Sequence, residues 1–477
     1  MADLSRVAIR SPKQRWRLPI TEFLLTPLAM VLGFVGLAAV ATLVDFWSTA
    51  WPEHVRDWLA RLFPHENLLR MLGVIATGLV TVTTLTLSAL LVAISHTSTT
   101  VAPVVFDQFL RRKANQAYFG YVAGCATYTY LVMAVARPTW AGVGPLLAIV
   151  LAAGALVLLI FMAYLMIDQM RPTTVVRSIQ DRAGQARARQ YPLLARCRPV
   201  PEVRDDKPDT VTTESSGYVV DIVAARLEAL MARVGDGVEV AFQVRIGDLL
   251  AYGDGVVRIR GGSPEQRRIA ARGVLDCVII DRTRDAGIDP DYAIDQLGNI
   301  AWAATSSRQN PDVAQAAVGA LRDLSGRWAA TPLPDPEEYG GRLPVVYDDA
   351  VQRKIVATLV DIVVVSTSSR QHHTCATALA SLAEILPQLQ EHDREVAVRS
   401  LVRALPAALT HVASVELSRA LAKLRASLDA IGHEDLADQV RAMGPLLVDK
   451  GGLVDEQDLI DQFDDTDLTG PRPFRFR

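Results

Sequence analysis

Four long stretches without a single Asp, Glu, Lys or Arg occupy the first 170 positions, and about 300 mostly polar residues follow. The charge-free runs are Phe23–Val44, Met71–Ser95, Ala114–Ala136 and Ala141–Ile167. Each reaches the ~20 residues a helix needs to cross the hydrocarbon core of a bilayer, and backbone groups in lipid must be satisfied within the element itself. The pattern predicts a mainly α protein. A four-helix transmembrane domain (20–170; spans about 22–45, 70–95, 115–136 and 142–168) follows a basic N-terminus (1–19) and precedes a large soluble part.

The charges between the runs predict an orientation. Arg6, Arg10, Lys13, Arg15 and Arg17 precede the first run, and Arg111, Arg112 and Lys113 lie between the second and third. Seven arginines between Arg171 and Arg198 follow the fourth. The first connection is mixed in sign, and the third offers Arg137 alone. Basic residues are retained on the cytoplasmic side, so both termini and the second connection are expected there. The first run is too long for a cleaved leader and is expected to stay as an anchor. Within the first connection, Trp51, Val55, Trp58, Leu59, Leu62 and Phe63 share one helical face between Pro52 and Pro64. A helix over 51–63 is expected, either lying at the outer membrane surface with its indoles at headgroup level or capping the bundle.

Composition narrows the function classes. The net charge of −3 gives no sign of nucleic-acid binding. The four cysteines have neither metal nor redox spacing, so no cofactor is expected. Arginine outnumbers lysine by 43 to 6, a bias of GC-rich coding that points to a bacterial plasma (inner) membrane.

No ionisable residue falls inside the four runs; Glu22 and Asp168 stand at their ends. An ion-coupled transporter usually buries a carboxylate in its spans, so that class loses ground. In the second run Thr77, Thr81, Thr84, Ser88 and Ser95 form a hydroxyl stripe along one helix face. Two readings compete: lining for an aqueous path between subunits, or hydroxyls bonded to the i−4 carbonyl or to a neighbouring helix. Gly120 and Gly124 in the third run have the G-x-x-x-G spacing of close helix packing, within or between subunits.

The run TLSALLVAISHTSTTVAPVVFDQFLRRKANQAYFGYVAG, Thr86 to Gly124, resembles the predicted membrane protein family DUF2254. In that family a Ser/Thr-rich span leads through a phenylalanine and a basic cluster into a Gly-containing third span. Two later stretches are similar as well. Ser216–Gly261 looks like the family's β-containing module, and Gln296–Leu324 like its helical segment, with Ser307, Asn310 and Pro311 matching and Arg308 standing where the family has proline. The resemblance spans roughly Leu18 to Leu324 and implies architecture rather than chemistry.

The soluble part opens with a basic helix extension and linker (171–216). Alternation in Val238–Val244, turns at Gly247-Asp248 and Gly253-Asp254, and a strand at Val256–Ile259 predict a small β-barrel-like module over 217–262. Its phrasing resembles the half-repeats of biotinyl and lipoyl carriers, but no lysine lies between Lys207 and Lys354, so a carrier role is excluded. A helical repeat domain is expected over 263–445. Leu297–Leu324 aligns with Leu359–Leu386 at a constant offset of 62, and Thr-Ser-Ser-Arg-Gln recurs at 305–309 and 367–371. Each copy reads as an α-hairpin, and the array as a short solenoid or helical bundle. The corners place Ser307 and Arg308, and Ser369 and Arg370, at equivalent positions. They are candidate contacts for an anion or a partner near helix N-termini, against a plain role in capping and ion pairing.

The remaining motifs carry no chemistry. His372, His373 and Cys375 have no second ligand cluster in the sequence. Asp465, Asp467 and Thr469 spell a phosphotransferase-like D-x-D-x-T, but that motif should end the first strand of a large α/β domain and only eight residues follow it. It belongs to an acidic, disordered tail, 446–477. With no nucleophile–base or metal set, the chain reads as a non-enzyme in contact with membrane lipid. The leading expectation is a homo-oligomeric, channel-like conduit for ions or small solutes with a cytoplasmic regulatory domain. The alternative is a membrane scaffold or sensor whose helical array binds a cytoplasmic protein partner.

Overall fold

The computed structural model describes residues 12–47, 65–97, 113–135, 143–169, 171–203, 207–284, 287–307, 311–408, 411 and 414–451. They form two compact units that divide near residue 174. The expected surface helix over 51–63 lies outside the described residues.

The first unit is a bundle of α1 (Pro12–Trp47), α2 (His65–Thr97), α3 (Lys113–Val135) and α4 (Val143–Gln169). Among the described residues three helices are long and apolar enough to cross a membrane, at Leu24–Trp47, Lys113–Val135 and Val143–Leu165, rather than the four expected. α2 is long, at 33 residues, but its described apolar stretch is the shorter Arg70–Thr86. α3 lies at the centre and packs against α1, α2 and α4. Half of its apolar window is buried, against 17% for α1 and α4. It is also the least apolar of the three, because side chains facing protein need not be soluble in lipid: Asn115, Gln116 and Thr129 are all buried on it. Tyr118, Val122, Cys125, Tyr128 and Val132 form its core with Leu72 and Leu79 of α2 and with Ala148, Ala155 and Met162 of α4.

The second unit begins with α5 (Pro172–Arg196). Its buried Leu193 and Leu194 enter the core of a mixed module built from β1 (Asp209–Thr212), β2 (Gly217–Ile222), α6 (Ala224–Val234), β3 (Val238–Phe242), β4 (Leu249–Leu250), β5 (Gly255–Gly261), α7 (Pro264–Val274) and β6 (Val278–Asp281). Ser263 and Gln266 close a capping box at the start of α7.

The expected small barrel is not closed. One sheet runs β1-β5-β3 and on to β7 (Val345–Val346), and a second runs β4-β2-β6. The decisive element is β7 (Val345–Val346), which returns from far along the chain to lie parallel beside β3. It takes the edge that a local hairpin would need for closure. Meanwhile β2 turns away to pair antiparallel with β4 and β6. The module therefore spans residues 209–281 plus the returning strand, wider than the 217–262 expected.

A helical array follows. α8 (Pro290–Ser307) and α9 (Pro311–Ala330) form one hairpin; α10 (Val351–Ser369) and α11 (His372–Ile385) form the next at the 62-residue offset. α12 (Glu391–Ala408), α13 (Val415–Ala430) and α14 (Glu434–Gly451) complete it, α14 reaching past the boundary at 445. α10 packs against α8 and α12, and α11 against α9 and α13, which gives two layers of stacked helices.

Candidate functional site

The hydroxyl stripe of α2 faces away from its own bundle. Thr77, Thr81, Thr84 and Ser88 are exposed, whereas Leu72, Ala76 and Leu79 on the same helix are buried. Thr77 Oγ1 donates to the Gly73 carbonyl at 2.9 Å, Thr81 to Thr77 at 2.8 Å and Thr84 to Val80 at 3.0 Å. The protons are thus used within the helix and the oxygen lone pairs remain outward, a row of acceptors. The Ser95 side chain lies outside the described residues.

The two glycines of α3 pack within the subunit. A Cβ at Gly120 would sit 2.9 Å from Pro27 Cα, and one at Gly124 would sit 2.4 Å from Phe34 Cδ2. Both contacts are with α1, which approaches because these positions lack side chains. Nothing along the chain points to the partner of Asp45. This buried carboxylate at the end of α1 accepts the amides of Val143 and Gly144, each at 2.8 Å, and so caps the N-terminus of α4. Tyr128 donates to the Gly144 carbonyl alongside, at 3.0 Å.

At the repeat corners the expected N-terminal placement is overturned for the serines. Ser307 and Ser369 are the last residues of α8 and α10, and their hydroxyls bond back to the carbonyls of Ala304 and Ser366, each at 3.4 Å. They sit at carbonyl-rich helix C-termini, which do not attract anions. Arg370 is the left-handed C-cap of α10, with φ of 55°, and its backbone N–H turns onto Ser366 and Thr367. Its exposed side chain remains available. Arg308 lies outside the described residues.

Behind the second corner runs a buried polar chain. Ser366 donates to the Val363 carbonyl at 2.6 Å, and its oxygen meets His411 Nε2 at 3.0 Å. His411 Nδ1 in turn meets His372 Nδ1 at 3.0 Å. These roles fix the tautomers: the serine proton is spent, so His411 Nε2 donates, its bare Nδ1 accepts, and His372 Nδ1 donates. Only a neutral His411 completes the chain. Burial, and then His372, pushes its pKa down to about 4. Cys375 lies against the same serine, and burial pushes its thiol up to about 12. Among the described residues no cluster of three or more His, Cys, Asp or Glu is arranged to hold a metal ion.

The opposite ends of these helices carry paired charges. Arg284 binds Asp289 at 2.6 Å and Asp295 at 2.7 Å, and Lys354 binds Asp295 at 2.7 Å. Asp289 also caps α8 by accepting the Tyr292 amide at 3.0 Å. Arg353 joins Asp348 to Asp393, and Arg245 reaches Asp348 at 2.5 Å. Beside them Asp291 keeps a buried oxygen without a hydrogen-bond partner. Burial and the neighbouring Asp289 raise its pKa to about 7.

A comparison with known families settles the chain's kinship. The family described as "Predicted membrane protein (DUF2254)" matches residues 21–384. The chain belongs to DUF2254. No curated protein and no solved structure matches it. The DUF2254 match runs from within α1 through the two-sheet module to the last turn of α11, past the Leu324 limit of the stretches that resemble the family. α12 to α14 lie beyond it.

Proposed function

We propose that this DUF2254 member is a homo-oligomeric conduit for ions or small solutes in the bacterial plasma membrane, without enzymatic activity, cofactor or nucleic-acid partner. One observation carries the reading: the hydroxyl face of α2 points away from the subunit's core with its lone pairs outward. In lipid such a face gains nothing; against the same face of neighbouring copies it lines a polar path. The arginines after α4 favour a cytoplasmic second unit by the positive-inside rule, and a regulatory role for it is part of this proposal. The test is flux from liposomes carrying the purified protein beside the Thr81→Leu/Thr84→Leu variant. Flux that the variant loses at equal membrane abundance supports the conduit. Absence of flux from folded, oriented wild-type protein overturns it.

A second reading, a membrane scaffold, draws on the layered hairpins of α8 to α13, an architecture suited to holding a protein partner. Exposed Arg370 and the neighbouring surface of α10 are its contact candidates.

A further inference from the structure

A cavity in the second unit has the build of a small-molecule site. Its volume is about 540 Å³, within the ~300–1,000 Å³ of ligand pockets. Two segments far apart in the chain wall it: the end of α5 with the residues just after it (194–199), and the stretch 333–342 that leads into β7. The backbone ties them together. The Leu343 amide donates to the Arg196 carbonyl at 2.9 Å, and the Arg198 amide to the Val345 carbonyl at 2.8 Å. Arg196 Nε adds a bond to the Gly341 carbonyl at 3.0 Å.

The second wall is stiff as well as anchored. Pro332, Pro334 and Pro336 fix their own φ and hold the residue before each in the extended region. Asp335 shows it, with φ of −61° and ψ of 130°. Its carboxylate accepts the Glu337 amide at 3.0 Å, and the Gly341 amide donates to the Pro336 carbonyl at 2.9 Å. A cavity held in this way needs little further ordering when a ligand enters.

The lining has a definite chemistry. Leu194, Pro199, Leu333 and Pro334 supply apolar wall, and Leu333 is 48% exposed. Cys197 adds to that wall rather than offering a nucleophile, because burial pushes its thiol up to about 12. Two charged residues share the lining, Asp335 and Arg342, both exposed. Their charges are opposite, yet among the described residues no ion pair joins them to each other or to another side chain. The nearby Arg196 and Arg198 are paired, with Glu228 at 3.0 Å and Glu202 at 2.5 Å.

We infer that this cavity binds a small zwitterion with an apolar body, a free apolar α-amino acid or a short apolar peptide. Its carboxylate pairs with Arg342 and its ammonium with Asp335. A simple anion would leave Asp335 facing it with the wrong sign, and a simple cation would meet Arg342 in the same way. One molecule carrying both charges satisfies both side chains, while its apolar part covers Leu194 and Leu333. Binding there requires nothing of the membrane unit and so stands apart from the conduit reading.

Equilibrium dialysis tests this on the full-length protein in lipid nanodiscs, with radiolabelled L-leucine and radiolabelled Leu-Leu as probes. Saturable binding of at least one is expected, and which one binds separates the free amino acid from the peptide. N-acetylated and C-amidated forms of the bound probe, each lacking one of the two charges, should compete roughly tenfold more weakly. Arg342→Gln and Asp335→Asn should each weaken the zwitterion by a similar factor. Asn keeps a capping oxygen for the Glu337 amide, so the wall keeps its support. Arg342→Gln should leave the affinity for the amidated form unchanged, which a collapsed cavity would not do. Absence of saturable binding of both probes, equal competition by the singly charged forms, or undiminished zwitterion binding in either variant would each overturn the inference.

Discussion

Protonating His411 should unfasten the second repeat corner. In the folded chain its Nδ1 accepts the proton of His372, and its Nε2 serves Ser366. A second proton on His411 has nowhere to sit except Nδ1, where it meets the His372 donor inside a nearly closed site. Its folded-state pKa, about 4, lies below the 6.5 of a free imidazole. A depressed histidine stabilises the fold fully above the unfolded pKa and withdraws that stability as pH falls towards the folded value. At ~1.36 kcal/mol per unit, moving from pH 7.5 to pH 5 removes about 2 kcal/mol, or about 4–8 °C in Tm for a domain of this order of size. His372, lowered by burial, His373 and Arg370, adds in the same direction. The assay is thermal unfolding of the full-length protein in detergent at both pH values, beside His411→Asn. The variant begins less stable at pH 7.5 but loses less on acidification, because its side chain does not titrate. Equal acid sensitivity in the two proteins would refute the reasoning.

Two further substitutions probe other parts of the fold. Gly124→Ala drives a methyl group into Phe34 and should cost about 1–3 kcal/mol, read as lost thermal stability in detergent, with Phe34→Ala relieving the clash in the double variant. Asp291→Asn should stabilise the second unit at pH 8 and have little effect below pH 4. The carboxyl has a folded pKa near 7 against 3.8 unfolded, so its ionisation works against the fold as pH rises through that window. Denaturant midpoints at the two pH values check this, and a variant no more stable than wild type at pH 8 would count against a buried carboxyl whose ionisation strains the fold.

Much of the layout can be read along the chain, and the reasons are local. A charge-free run fixes a lipid-compatible helix without reference to any partner, and Ala/Leu periodicity fixes a helical hairpin. The repetition of Thr-Ser-Ser-Arg-Gln at a constant offset falls on α8–α9 and α10–α11, two successive helical hairpins. G-x-x-x-G announced a close approach, and only the fold named α1 as the partner. The corner serines read as N-caps because Ser is common at both helix ends. Their back-bonds to i−3 carbonyls, together with the left-handed Arg370, assign them to C-termini instead.

The sequence by itself determined the apolar helices, the polar second half, the repeat and the kinship with DUF2254, since periodicity and composition act over a few turns. Tertiary structure alone decided the rest. It decided that Val345–Val346 would take the edge of β3 and leave the sheets open, that Asp45 would cap a helix starting at Val143, and that His411 would reach His372. Each of these joins polar or backbone groups far apart in the chain. Burial away from water obliges such groups to find a partner, and only the folded path of the backbone selects which one.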